Sequence, residues 1–335
     1  MSKQKVIFTP HPRPLDMVMS QTDLGRLHDL VEVVWGQDGK MPEEALAEAR
    51  SEAYAIVGTV WQHGSLDDMP NLRVIMETGG RHPTPKRLDY ETCFQRGIRV
   101  LSCAPAYGPM VAEMALGMAI ASARGVLDAH LDFTAGEEVY LYDSNKGAFT
   151  LFDQPVGLIG FGGLAQNLRQ LLAPFRCPIH VYDPWLPESY IKERDCTPVT
   201  LERLLETSRV IFVLAIPSNE NKAMLNRELL SLIRPDAVFA LISRAHMVDF
   251  DALTDLLHEG RFRAAIDVFP EEPLAKDHPI RTAPHTILSA HRAGTVWDDM
   301  HLIGKMVVDD LEAMLAGLPP TKMQVAQPEI IYRLP

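Results

Sequence analysis

The sequence predicts an α/β protein built from parallel, doubly wound layers, and three features of its 335 residues predict it. Short apolar runs alternate with helical patterns along most of the chain, as expected when parallel strands are joined through helices. One of these runs, Val156-Gly157-Leu158-Ile159, leads into a glycine-rich turn that opens a helix. The length is enough for two domains, each with its own core.

The first hundred residues carry strand patterns at 6–8, 31–35, 55–60, 74–77 and 98–101, with helical stretches such as 43–51 between them. That is enough for one small doubly wound domain. Pro105-Ala106-Tyr107-Gly108-Pro109 reads as a turn or hinge, because two prolines and a glycine punctuate it. Residues 110–124 read as a helix in which Met110, Met114 and Met118 form a core-packing stripe. Residues 125–150 show no clear period. Irregular stretches of that length inside a compact protein are often functional. Strand patterns return at 156–159, 179–182, 210–214, 237–242, 264–268 and 286–288. Asp249 is a good N-cap for a helix with Phe250, Ala252, Leu253, Leu256 and Leu257 on its apolar face, and Gly260 ends it. After His291 a long helix is expected over 296–315, closed by Gly317-Leu318-Pro319-Pro320.

Composition narrows the function. A formal charge of −12 argues against nucleic acid, whose phosphates need a basic footprint, and against an anionic membrane surface. An acidic protein that takes anionic ligands must gather positive potential locally, from helix N-termini and a few arginines. Cys93, Cys103, Cys177 and Cys196 make no CxxC pair, and no His or Cys cluster has zinc spacing, so reduced cysteines and no metal are expected. The N-terminus has no long apolar segment and no apolar run reaches the roughly 18 residues of a membrane span, so the expected location is the cytoplasm.

The glycine turn carries a dinucleotide fingerprint. Gly160 permits the tight turn, Gly162 lets a pyrophosphate approach the backbone, and Ala165 in the third small position permits close helix–strand packing. Gly163 and Leu164 complete the entry into the helix, whose N-terminus favours an anion. About 20 residues on, the strand at 179–182 ends in Asp183, placed to bond the ribose hydroxyls and to repel a 2′-phosphate. NAD is therefore expected over NADP. Pro217, just after the next strand, is expected among the cofactor residues.

Three further residues suit hydride transfer to a 2-oxo acid. Arg244 can hold the substrate carboxylate and polarise its carbonyl, since a guanidinium is planar and always charged. His291 can give the proton, because its ordinary pKa lies nearest working pH. Glu272 can orient the imidazole and favour its charged form. Each stands beside the C-terminal end of a strand, where ligands of open α/β sheets gather.

The run Ser243-Arg244-Ala245-His246-Met247-Val248-Asp249, then Asp267-Val268-Phe269-Pro270-Glu271-Glu272-Pro273, then His291-Arg292-Ala293-Gly294 resembles the D-isomer-specific 2-hydroxyacid dehydrogenase family. The resemblance extends from about residue 55 onward. It implies substrate binding by Arg244, an Asp near the nicotinamide at Asp267, and an acid/base pair of Glu272 and His291. It also implies a Rossmann cofactor domain at 105–295 inserted into a flavodoxin-like substrate domain formed by 1–104 and 296–335. Residues 125–150 would be the arm that wraps the partner subunit of a homodimer.

The departures are as informative. Ala245 replaces the usual Gly after the Arg, Leu241 stands where an Asn is common, and Arg292 follows the His. The loop that gives amides to the substrate carboxylate reads Thr78-Gly79-Gly80-Arg81-His82-Pro83-Thr84-Pro85, longer and richer in Pro than usual. Gly79 and Gly80 are the expected amide donors. Trp61 and His63 are open candidates for substrate contact, and Arg81, His82 and Arg292 add cations that would suit a second polar group; Trp297 has no assigned role. Two alternatives stay open: a phosphite- or formate-type NAD-dependent dehydrogenase, with Glu272 arguing against the formate type, and a non-enzymatic, corepressor-like NAD-binding protein.

Overall fold

The computed structural model describes residues 3–335. The chain divides into two compact units, Met1–Gly108 with Thr295–Pro335, and Pro109–Gly294.

In the first unit, β1 (Lys5–Thr9), β2 (Glu32–Trp35), β3 (Ala53–Gly58), β4 (Val74–Glu77) and β5 (Arg99–Ser102) form a parallel sheet in the order β5-β4-β3-β1-β2. Gln324–Val325 returns to the β5 edge antiparallel. A two-residue strand carries no period, so the sequence did not reveal it. β3 and β4 are buried almost throughout, as parallel strands covered on both faces must be.

In the second unit, β6 (Val156–Ile159), β7 (Ile179–Tyr182), β8 (Thr197–Pro198), β9 (Val210–Val213), β10 (Val238–Leu241), β11 (Arg263–Ile266) and β12 (Thr286–Leu288) form a seven-stranded parallel sheet. Its order is β12-β11-β10-β9-β6-β7-β8. The order reverses between β6 and β9, and such a switch point is where open α/β sheets bind ligands. The core between this sheet and its helices includes Leu204, Phe239, Leu253, Leu257 and Phe262. Asp249 caps the helix Phe250–His258 by accepting the Ala252 amide at 3.0 Å, as the sequence implies.

Three expectations are corrected. Pro105 to Pro109 is not a turn: the helix Ala104–Ala123 runs through it. Pro105 lies in the first turn, where a missing N–H removes no helix bond. The following segment is not wholly irregular either. Val126–Ala135 is a helix, entered at Gly125 and left at Gly136, both in the left-handed region. None of its residues is buried, and Phe133, Leu141 and Tyr142 are 61%, 75% and 78% exposed. A helix with apolar residues facing outward has no single buried stripe to set a period. The C-terminal helix is also shorter than expected, running over His301–Leu315 after a single 3₁₀ turn at Asp298–Met300.

Among the described residues no single helix is long and apolar enough to cross a membrane.

Candidate active site

The glycine turn follows β6 at the switch point. Gly160 has φ +88°, and a Cβ there would lie 2.5 Å from the Ala215 Cα, so both conformation and space require glycine. The helix Gly163–Leu172 starts directly after, with Gly162 as N-cap and no side chain capping its first amides. A Cβ on Gly162 or Gly163 would meet nothing within 4 Å. Room, unpaired donors and the helix dipole thus coincide, which is what a pyrophosphate needs. Ala165 is fully buried against the sheet, in keeping with its packing role, and Leu164 is half-buried.

Asp183 ends β7 and points at this turn. Its carboxylate accepts the Phe161 amide at 2.8 Å and the Trp185 amide at 3.0 Å. Each oxygen keeps acceptor capacity for a hydroxyl beyond these bonds. Trp185 Nε1 in turn donates to Glu220 at 3.3 Å, joining this loop to the one after β9. Pro217 lies in that second loop, which Asn221 ties down by accepting the Ser218 amide and donating to the Ile216 carbonyl, both at 2.8 Å. Neither Trp185 nor Glu220 belongs to a spaced motif, so the residues alone gave no sign of this link. The Ser243 hydroxyl, buried at the end of β10, has no hydrogen-bond partner among the described residues. These features fit a dinucleotide.

Arg244, Glu272 and His291 follow β10, β11 and β12, three neighbouring strands, and come together. His291 Nδ1 lies 2.6 Å from Glu272 Oε2, and His291 Nε2 lies 3.5 Å from an Arg244 terminal nitrogen. Glu272 also accepts the Phe269 amide at 3.0 Å. Partial burial works against its charge. The His291 hydrogen bond, the Phe269 amide and the charges of His291 and Arg244 outweigh it and hold the carboxyl below its ordinary value. Arg244 donates to its neighbouring Ser243 carbonyl at 2.6 Å.

His291 itself has φ +51°, a region that a non-glycine residue adopts only when its surroundings impose it. Asp267 imposes it. Its carboxylate accepts the Arg292 and Ala293 amides at 2.9 and 3.0 Å, and its backbone carbonyl accepts the His291 amide at 2.7 Å. The side chain is wholly buried. Its two oxygens are turned into the loop that carries His291. The sequence placed Asp267 beside a strand but gave no sign of which way its carboxylate turns.

In the first unit, the residues expected to bind substrate are only partly available. The Gly79 amide is taken by Glu77 Oε1, and the Gly80 amide bears on the Cys103 sulfur. Gly80, at φ +83°, leaves no room for a Cβ beside the Tyr107 ring. His63 is buried, with Nε2 3.1 Å from Thr9 Oγ1, and burial and then Arg50 push its pKa down to about 4. It is a buried histidine held neutral near pH 7. Trp61 packs beside it. His82 Nε2 is engaged with the Gln324 carbonyl at 2.9 Å, whereas Arg81, Arg292 and Trp297 are exposed.

The chain is similar to known proteins of one family. Residues 116–293, just over half of the chain, match the model of the D-isomer specific 2-hydroxyacid dehydrogenase NAD binding domain. The chain is 26% identical to a D-3-phosphoglycerate dehydrogenase of Methanocaldococcus jannaschii over 86% of its length, and spans 54% of that protein. It is 26% identical to a glyoxylate reductase of Pyrococcus furiosus, covering 86% of this chain and 87% of that one. Its structure superposes on a phosphoglycerate oxidoreductase from Rhizobium etli with a TM-score of 0.84, at 37% identity, covering 97% of this chain and 99% of the other.

Proposed function

The chain belongs to the D-isomer-specific 2-hydroxyacid dehydrogenase family, and from that membership we propose that it interconverts a 2-oxo acid and a D-2-hydroxy acid with NAD. The observation that carries the proposal is the contiguous row Arg244–His291–Glu272 at the ends of neighbouring strands.

With its pyrophosphate at the glycine turn, NAD would supply the hydride for reduction and accept it in the reverse direction. The chain's own residues do the rest. Gly160, Gly162 and Gly163 hold the pyrophosphate through backbone amides, Leu164 and Ala165 seat the helix, Pro217 shapes the adjoining loop, and Asp183 takes the ribose hydroxyls. Arg244 binds the substrate carboxylate and draws electron density toward the carbonyl oxygen. His291 holds a proton on Nε2 and gives it to that oxygen as the C2–H bond forms, so the carbonyl becomes an alcohol. Because Nδ1 is committed to Glu272, only Nε2 faces the chemistry. Glu272 stabilises the imidazolium before transfer.

The test is oxidation of NADH in the presence of a panel of 2-oxo acids. At least one should be reduced, with NADH preferred over NADPH by roughly tenfold or more, about 1.4 kcal/mol, because a 2′-phosphate would meet the Asp183 carboxylate. No turnover with any 2-oxo acid, although NADH binds, would refute the reading. Equal use of NADPH would refute the role of Asp183.

Asp267 makes a separate prediction. Asp267→Asn replaces one acceptor with a donor facing an amide. It should lower kcat, by up to about 10²-fold if His291 shifts by an ångström, with the Kd for NADH unchanged. A weakened Kd with unchanged kcat would instead make Asp267 a cofactor ligand.

We propose too that the protein is a cytoplasmic homodimer. The exposed apolar residues Leu131, Phe133, Leu141 and Tyr142 support self-association through this face, and sedimentation velocity reads it out.

A further inference from the structure

The strand order of the second unit reverses beside β6, which pairs with β7 on one side and with β9 on the other. A bond between the loop after β7 and the loop after β9 therefore spans the strand end from which the glycine turn springs. Such a bond exists: Trp185 Nε1 donates to Glu220 Oε2 at 3.3 Å. Nothing in the hydride chemistry above uses it.

Each partner stands on a stiff loop. On the β7 side the chain reads Asp183-Pro184-Trp185-Leu186-Pro187, where two prolines fix φ. The Trp185 amide donates to Asp183 Oδ1 at 3.0 Å. On the β9 side Ser218 is 1% exposed, and its hydroxyl accepts the Glu220 and Asn221 amides at 3.3 and 3.2 Å. The Ser218 carbonyl is in turn engaged by His246 Nε2 at 2.9 Å. Glu220 is thus an exposed acid on a fixed loop, and the Trp185 indole is half-buried, with part of its surface open. The same loop exposes the apolar Ile216, 47% accessible.

Asp183 orders these pieces. The carboxylate at this position of the fold meets the adenosine ribose. Because it also holds the Trp185 amide, the indole stands next to the sugar that carries the base. A purine is flat and apolar on its faces, and aromatic side chains stack on it whatever its sequence context.

We propose that Trp185 and Glu220 form a clasp over the adenosine end of the cofactor: the indole stacks on the adenine, and Glu220, acting through the indole N–H, fixes the ring in the stacking position. The proposal rests on the reading that Asp183 meets the ribose, and it is independent of which acid is reduced. Trp185 is then a cofactor contact and Glu220 a positioning residue. Holding the ring before the base arrives lowers the entropy lost on binding, so removal of Glu220 weakens adenosine binding although no contact to the base is deleted.

AMP is the probe, because it carries only the adenosine end and does not absorb where tryptophan emits. AMP should change the tryptophan fluorescence of the native protein. That change should vanish in Trp185→Phe, although Trp35, Trp61 and Trp297 remain. By calorimetry, Trp185→Ala should raise the Kd for AMP about ten- to a hundredfold, the worth of one base–aromatic stack. Glu220→Ala should raise it roughly three- to tenfold, and Glu220→Gln, which keeps an acceptor for the indole N–H, should stay within about twofold of native. In the Trp185→Phe background Glu220→Ala should have no further effect, since a phenyl ring offers no N–H to hold. Inorganic pyrophosphate, which reaches only the glycine turn, should bind all the variants alike.

A fluorescence response that survives Trp185→Phe, or a Glu220→Ala penalty that persists in full in that background, overturns the proposal. So does a parallel loss of pyrophosphate binding, which would mark a general disturbance of the unit. If the Trp185 variants fail to fold, the exposed Glu220 decides: equal Kd for AMP in the native protein and Glu220→Ala contradicts the clasp. The predicted pattern without turnover of any 2-oxo acid would refute the functional reading while supporting this one. Turnover with NADH while AMP binding ignores Glu220 would refute this one alone.

Discussion

Arg244→Ala should lower kcat/KM for the 2-oxo acid by roughly 10²–10³-fold, the cost of losing one preorganised charge-stabilising donor, while NADH binds as before. The reasoning is geometric. The Arg244 guanidinium lies 3.5 Å from His291 Nε2, so one carbonyl oxygen can meet both. The glycine turn proposed to hold the cofactor follows β6, two strands away in the sheet order from β10, where Arg244 is mounted. Arg244→Lys should recover little, because a point charge cannot grip a carboxylate with two parallel bonds. Titration of NADH by fluorescence, alongside steady-state rates, separates the two effects. If NADH affinity fell in step with kcat/KM, Arg244 would belong to the cofactor site instead.

His291→Gln should lower kcat by about 10²–10⁴-fold, the usual contribution of a positioned proton donor. Gln can accept and donate hydrogen bonds but has no proton to give at this pH. Glu272→Gln should be milder. It keeps a hydrogen-bonding partner for Nδ1 but removes the charge that stabilises the imidazolium, so reduction should fall away at a lower pH on the alkaline side of the kcat profile than in the native protein. Circular dichroism and thermal unfolding should be near native for both variants, since His291 and Glu272 are exposed and few core contacts depend on them. Near-normal turnover by His291→Gln would remove it from the mechanism.

Much of this was legible from the residues alone. The strands β4, β6, β7 and β12 lie at the positions their apolar runs indicate, and β4 and β6 read most plainly because buried parallel strands write themselves as continuous apolar segments. The order Arg, Glu, His was readable because each residue follows a strand, and the sheet order then brings the three strand ends side by side. Side-chain direction was not readable. Asp267 and Glu77 both end or adjoin strands, yet each turns inward to hold a loop, since the choice between facing solvent and bonding a backbone amide is made by tertiary contacts. The segment after Ala123 hid its helix for a related reason: its apolar side chains stay exposed and leave no core-facing period. Pro105 and Pro109 misled because proline breaks a helix only beyond its first turn or where neighbours cannot absorb the lost bond, and the helix Ala104–Ala123 accommodates both.

The most direct test of the central claim follows the transferred hydrogen. Reduced NAD carrying deuterium at the reactive C4 position is incubated with the protein and the 2-oxo acid that it turns over best, and the 2-hydroxy acid is recovered. The account predicts one deuterium at C2 in the D configuration, and loss of that product with Arg244→Ala and with His291→Gln. A product of L configuration, a product without deuterium, or full labelling by the His291→Gln variant would contradict it.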